Sequence, residues 1–239
     1  MMNLKKVNKW VLFIIIVIKI ISCKSKTIEI LPKNLISEYF PLEIGRYITY
    51  EVNETNYNIT SIQYKKYFLK LVIKDTFYLL PNDPVNYRIE TYVKSLSDSI
   101  WQFDSVWSVQ MNGQYTIFNR NNLPLAILCD PVQNGTVWNG NLYNNRTKVN
   151  FRYTNLFKPW IIGSTHQFEN TIMVVSERSR SCIDKRIAFD VYAKNVGLIY
   201  HYREFLFYEQ RNGGGAISCD SVIQYGSKHY WTILDYGKE

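Results

Sequence analysis

From residue 39 onward, apolar and polar positions alternate in short runs of Tyr, Phe, Trp, Ile and Val, broken by Asn, Gly, Pro and Asp. Period-two alternation of aromatic and β-branched residues is strand chemistry, and the breakers between the runs are turn chemistry. The pattern predicts strands at Tyr47–Val52, Tyr67–Ile73, Tyr87–Val93, Ser99–Phe103, Tyr115–Asn119, Val149–Tyr153, His166–Val175, Ile187–Ala193 and Gly197–Glu209. Cys219–Tyr225 and Tyr230–Tyr236 are expected to pair onto the last of these. Within Gly197–Glu209 the alternation assigns two faces: Leu198, Tyr200, Tyr202, Glu204, Leu206 and Tyr208 on one, Ile199, His201, Arg203, Phe205 and Phe207 on the other. The one helix predicted is short and lies near Leu35–Tyr39. The expected fold is all-β, either an antiparallel β-sandwich or a strongly curved, partly closed sheet, formed by a single domain over residues 38–239.

One stretch repeats. Pro41, Leu42, Glu43, Ile44, Gly45, Arg46, Tyr47, Ile48 is echoed ninety positions later by Pro131, Val132, Gln133, Asn134, Gly135, Thr136, Val137, Trp138. In each, proline sets a turn, glycine takes a backbone conformation closed to other residues, and a bulky residue then opens a strand. Two related strand openings, from a duplication, account for the echo; chance in a turn-rich chain is the alternative.

The N-terminus is of another kind. Lys5, Lys6 and Lys9 precede an apolar zone from Trp10 to Ser22, interrupted by Lys19, which is the layout of an export signal. A hydrocarbon core of about 30 Å takes roughly 20 residues to span, so this zone is short for a transmembrane helix. Ile20, Ile21, Ser22 and Cys23 resemble the bacterial lipobox, which implies a signal peptide over residues 1–22, lipid on Cys23 and a tether over 23–37. An uncleaved anchor or a plain secretory signal are the alternatives.

Charge and cysteines narrow the classes. The chain has 28 basic and 20 acidic residues, and four of its lysines lie in the signal, so the expected mature balance is about +4, spread along the chain. Nucleic-acid binding would need clustered cations on one face, so no nucleic-acid partner is expected. Outside the cytoplasm two of Cys129, Cys182 and Cys219 can pair; Cys182 with Cys219 is preferred, since both flank predicted strands. The three lack zinc-ligand spacing, and no metal or cofactor is implied.

Taken together, YFPLEIGRYITYEV at 39–52, DPVQNGTVWNGN at 130–141, FENTIMVV at 168–175 and FDVYAKNVGLIYHY at 189–202 resemble a group of uncharacterised Bacteroidetes cell-envelope lipoproteins. The chain departs from that pattern at Ile48, where an aromatic is usual. The resemblance implies an envelope lipoprotein and no particular activity. Lys24–Thr27 lacks the early acidic cluster typical of surface-exported lipoproteins in that phylum, which points to the periplasmic face, with the outer membrane the expected site.

Catalytic signatures are sparse. His166, His201 and His229 are not spaced as ligands on a helix, no GxSxG elbow occurs, and Gly213–Gly215 has no P-loop context. A carboxylate pair for glycan hydrolysis leaves no trace in sequence; Glu169, Asp184, Asp190 and Glu204 are the nominees. Trp101, Trp107, Trp138, Trp160 and Trp231 either fill the core or line a pocket for lipid or glycan. The leading expectation is a membrane-anchored, non-catalytic binding or assembly module whose partner is an envelope protein, lipid or glycan. A carboxylate-pair hydrolase and a lipid-binding protein with an aromatic-lined cavity are the alternatives.

Overall fold

A computed structural model describes residues 35–164, 166–209 and 222–239. The predicted signal and lipid-attachment residue Cys23, most of the tether, and Cys219 lie outside the described residues. One short helix, α1 (Ile36–Tyr39), precedes twelve strands: β1 (Arg46–Asn58), β2 (Ser61–Phe77), β3 (Asn86–Ser95), β4 (Gln102–Met111), β5 (Tyr115–Arg120), β6 (Leu123–Cys129), β7 (Val137–Asn139), β8 (Asn150–Ile162), β9 (His166–Arg180), β10 (Asp184–Ala193), β11 (Gly197–Tyr208) and β12 (Ile223–Lys238).

All twelve strands form one antiparallel sheet, in the order β6-β5-β4-β3-β2-β1-β12-β11-β10-β9-β8-β7. Every neighbour is a chain neighbour except β1 and β12, which pair from Arg46↔Lys238 to Tyr57↔Gly226. The sheet curls until it is nearly closed into a barrel, so the curved, partly closed sheet is the architecture and the sandwich is not. The free edges of β6 and β7 meet through few backbone bonds. Ala126 N donates to Gly140 O at 2.9 Å, Trp138 Nε1 donates to Ala126 O at 2.7 Å, and the Tyr153 hydroxyl both accepts from Cys129 N at 2.8 Å and donates to Cys129 O at 2.7 Å. Aromatic side chains thus satisfy edge groups that a ladder would otherwise pair.

The repeat seen in the sequence has a structural counterpart. Gly45 and Gly135 adopt φ of 88° and 87°, and the same turn follows: Arg46 N to Glu43 O at 3.2 Å, Thr136 N to Gln133 O at 3.3 Å. Each turn leads into the first strand of a six-strand run, β1–β6 and β7–β12. A side chain at these backbone conformations is strained, so glycine is required at both.

Most predicted strands are present but longer than the alternation suggested, because pairing carries them past their apolar stretches. Ser99–Phe103 is displaced to Gln102–Met111, β6 and β7 were not anticipated, and Tyr230–Tyr236 is part of one long β12. Leu35 and Ile36, placed in the tether by sequence, are 9% and 1% exposed and belong to the same buried cluster as Leu128 and Trp138, so the packed core starts before residue 38. The core fills the inside of the barrel, where Tyr50, Val52, Ile199 and Ile233 are buried, while Lys66, Lys70, Lys74 and Arg88 are paired with acids on the outside. That arrangement is the inverse of a barrel whose outer face meets lipid.

Candidate functional site

Within the largely apolar barrel interior the strand register assembles a charged cluster. Asp190 on β10 and His201 on β11 are direct ladder partners. His201 Nδ1 is 2.7 Å from Asp190 Oδ1, and Arg203 grips both oxygens, Nη1 to Oδ1 at 3.1 Å and Nη2 to Oδ2 at 2.9 Å. Burial pushes the Asp190 carboxyl up, but the Arg203 charge and His201 outweigh it and hold it well below the ordinary carboxylate range. Burial, aided by Arg203, lowers His201 from 6.5 to about 4 against the pull of Asp190. The ring is therefore neutral at pH 7, and Nδ1 carries the proton it donates to Asp190.

A second pair lies beside the first. Trp231 Nε1 donates to His229 Nε2 at 2.7 Å, so that nitrogen is unprotonated. Glu54 lies 3.5 Å from it, but burial lowers His229 to about 4, so the contact is no ion pair near neutral pH. Glu54 instead accepts from the Tyr67 hydroxyl at 2.9 Å.

Arg120, at the end of the short strand β5, differs from Arg203. Its guanidinium carbon sits 4.9 Å from the Trp107 ring centroid and 4.8 Å from that of Trp231, while the two indoles are near parallel, 6.3 Å apart. Cation–π attraction holds the group there, but it makes no hydrogen bond or ion pair to a described residue. Burial lowers its pKa, yet a guanidinium remains charged. Trp107 Nε1 is buried without a hydrogen-bond partner.

Arg120 and Trp107 sit at a junction. An inner cavity of about 130 Å³, walled by side chains such as Tyr50, Leu71, Ile89 and Phe118, reaches Arg120 and Trp231. A more polar cavity of about 470 Å³ at the barrel mouth begins at Arg120, Trp107 and Trp231 and includes Lys65, Lys94 and Asp104. The opposite end is closed by α1 and by Arg46, whose Nη2 donates to Asn195 O at 2.5 Å, while Asn195 N donates to Glu38 O at 2.6 Å.

The nominated carboxylates do not form a pair. Asp190 is engaged as described, Glu204 pairs with Lys185 at 2.8 Å, Asp184 with Arg186 at 2.9 Å, and Glu169 is exposed and bonded to Gln167. Trp107 and Trp231 line the cavities, Trp138 packs in the core, and Trp160 and Trp101 stack on the outer face against Tyr200 and under Lys94. His166 stacks on Phe168. Cys182 is disulfide-bonded; Cys219, its predicted partner, lies outside the described residues. Cys129 is free and buried, with its thiol pushed up to about 11 by burial.

Arg120 was not anticipated from sequence. The signal was nonetheless present: Arg120 follows Asn112 by eight residues on the fifth strand of the first half, as Arg203 follows Asn195 on the fifth strand of the second. Arg203 has an acid, Asp190, whereas Arg120 faces the Trp107 ring. No family model matches the chain, and no curated protein matches it significantly.

Proposed function

We propose that this protein is a non-catalytic binding module of the bacterial cell envelope, held at a membrane by lipid on Cys23, whose barrel takes a small amphipathic anion. The observation that carries the ligand reading is the Arg120 guanidinium at the cavity junction with no acid bonded to it, beside the buried and unfilled Trp107 N–H. A buried donor without a partner, as at Trp107 Nε1, costs about 1–3 kcal/mol, and a carboxylate drawn to the Arg120 charge removes that penalty by accepting its hydrogen bond. The apolar inner cavity receives the ligand's body, and the two cavities together match the usual scale of small-molecule sites, about 300–1,000 Å³. A hydrolase reading is disfavoured because each nominated carboxylate already has partners of its own.

The test is calorimetric titration of the protein with sodium decanoate and with its uncharged methyl ester. The acid should bind more tightly than the ester, and Arg120→Met should weaken the acid alone by about tenfold or more, as expected for a charge-assisted bond of about 1.5–3 kcal/mol. No binding of decanoate, or equal binding by the variant, contradicts the proposal. For the anchor, metabolic lipid labelling with intact mass should be lost in Cys23→Ala; retained label contradicts it.

A further inference from the structure

The barrel end that holds the mouth differs from the other end in charge; both ends expose apolar side chains, Tyr78, Leu79 and Leu80 among them at the closed end. Several turns of the described residues lie at the mouth end. The β1–β2 hairpin exposes Ile59 (78%), Ile62 and Tyr64 (76%), the β3–β4 loop exposes Leu96 and Ile100 (73%), and the β9–β10 turn exposes Ile183. β2 pairs with β3 only from Tyr67↔Ser95 onward, so its first six residues, 61–66, extend past β3 by about 20 Å at roughly 3.3 Å per residue. The segments 57–66, 93–101 and 177–184 contain Lys65, Lys66, Lys94, Arg178 and Arg180 against three acids, Asp98, Glu177 and Asp184. Lys66 pairs with Glu51 at 2.9 Å, and Lys94 lies over Trp101 at 5.0 Å. At the closed end, the segments 35–46, 78–85, 130–136, 194–196 and 236–239 contain three basic and five acidic residues.

We infer that the mouth end docks on an anionic membrane surface, with the apolar tips of the β1–β2 and β3–β4 turns in the headgroup layer and the lysines against lipid phosphates. Exposed apolar groups of this extent mark an interaction surface. Here they stand on separate turns of the meander beside an excess of cations, which suits an anionic bilayer. Lysine stems lie along the apolar tips while their ammonium groups reach the phosphates, and aromatic residues such as Trp101 and Tyr64 favour that interface. The docking places the mouth cavity, with Arg120 at its base, against the bilayer, and it stands whether or not the lumen binds an anion.

The experiment is hydrogen–deuterium exchange of the full chain alone, with phosphatidylcholine vesicles, and with equimolar phosphatidylglycerol and phosphatidylcholine vesicles. The N-terminal segment can hold the protein on either vesicle, so the readout is local. Segments 57–64 and 96–101 should exchange more slowly on the anionic vesicles only, while 78–82 at the closed end is unchanged. In Lys65→Glu with Lys66→Glu, and separately in Ile59→Ser with Ile100→Ser, that protection should be lost with the thermal midpoint kept. Unprotected tips on vesicle-bound protein overturn the inference. So does protection that appears without vesicles and grows with protein concentration, which would assign the tips to a second copy of the chain.

Discussion

Replacing Asp190 with asparagine keeps the side chain's shape and removes the charge that compensates Arg203. Asp190 is 7% exposed and both of its oxygens are engaged, so the variant leaves a largely buried guanidinium facing a neutral amide. Breaking a buried pair from one side costs about 3–5 kcal/mol, because the stranded charge keeps its desolvation penalty. Domain stabilities are typically about 5–15 kcal/mol, so the loss is a large fraction of the total. Urea unfolding followed by tryptophan fluorescence should show a lower midpoint with an unchanged slope. Two comparisons isolate the cause. Asp75→Asn, which loosens the exposed pair with Arg88, should move the midpoint little. Asp190→Leu combined with Arg203→Met should cost less than Asp190→Asn alone, since no charge is left behind. A D190N midpoint no lower than that of D75N, or a double variant worse than the single, refutes the reasoning.

Protonation supplies a second check. His201 and His229 have folded pKa values lowered from 6.5 to about 4, so the unfolded chain binds protons that the fold does not, and their contribution is complete above pH 6.5 and lost as pH falls to 4. The midpoint should fall across that window, and His201→Gln should flatten the fall; a flat wild-type profile contradicts it. Gly45→Ala and Gly135→Ala should each cost about 1–2 kcal/mol for the positive φ, but a Cβ on Gly45 meets Glu239 O at 2.8 Å while one on Gly135 meets nothing within 4 Å. Gly45→Ala should thus lower the thermal midpoint more, and equal losses would argue against that contact. Tyr153→Phe deletes both bonds to Cys129 at the barrel seam and should cost about 1–3 kcal/mol; a neutral effect in urea unfolding would show that the seam does not depend on them.

Strand positions were readable because alternation and breakers are local. Closure was not, since it depends on β1 meeting β12 across 188 positions at Tyr47 and Asp235 and on a seam held by Trp138 and Tyr153, and neither leaves a local pattern. The Pro–Gly turns were readable to the level of glycine conformation, because proline and glycine encode backbone angles directly. His201 and Arg203 could be assigned to one strand face, but their partner Asp190 was only one of four nominated acids, since register decides which acid they meet. Arg120 escaped because a lone arginine before Asn121 and Asn122 reads as a turn; only its equivalence to Arg203 distinguishes it. The outer side of β11 also departs from simple alternation, with Glu204, Leu206 and Tyr208 buried.

The most direct test of the binding account is the crystal structure of the protein with decanoate. The account predicts the carboxylate within hydrogen-bond distance, about 2.7–3.2 Å, of the Arg120 guanidinium and Trp107 Nε1, with the acyl chain in the inner cavity. Decanoate bound elsewhere on the chain, with Arg120 and Trp107 untouched, would contradict it.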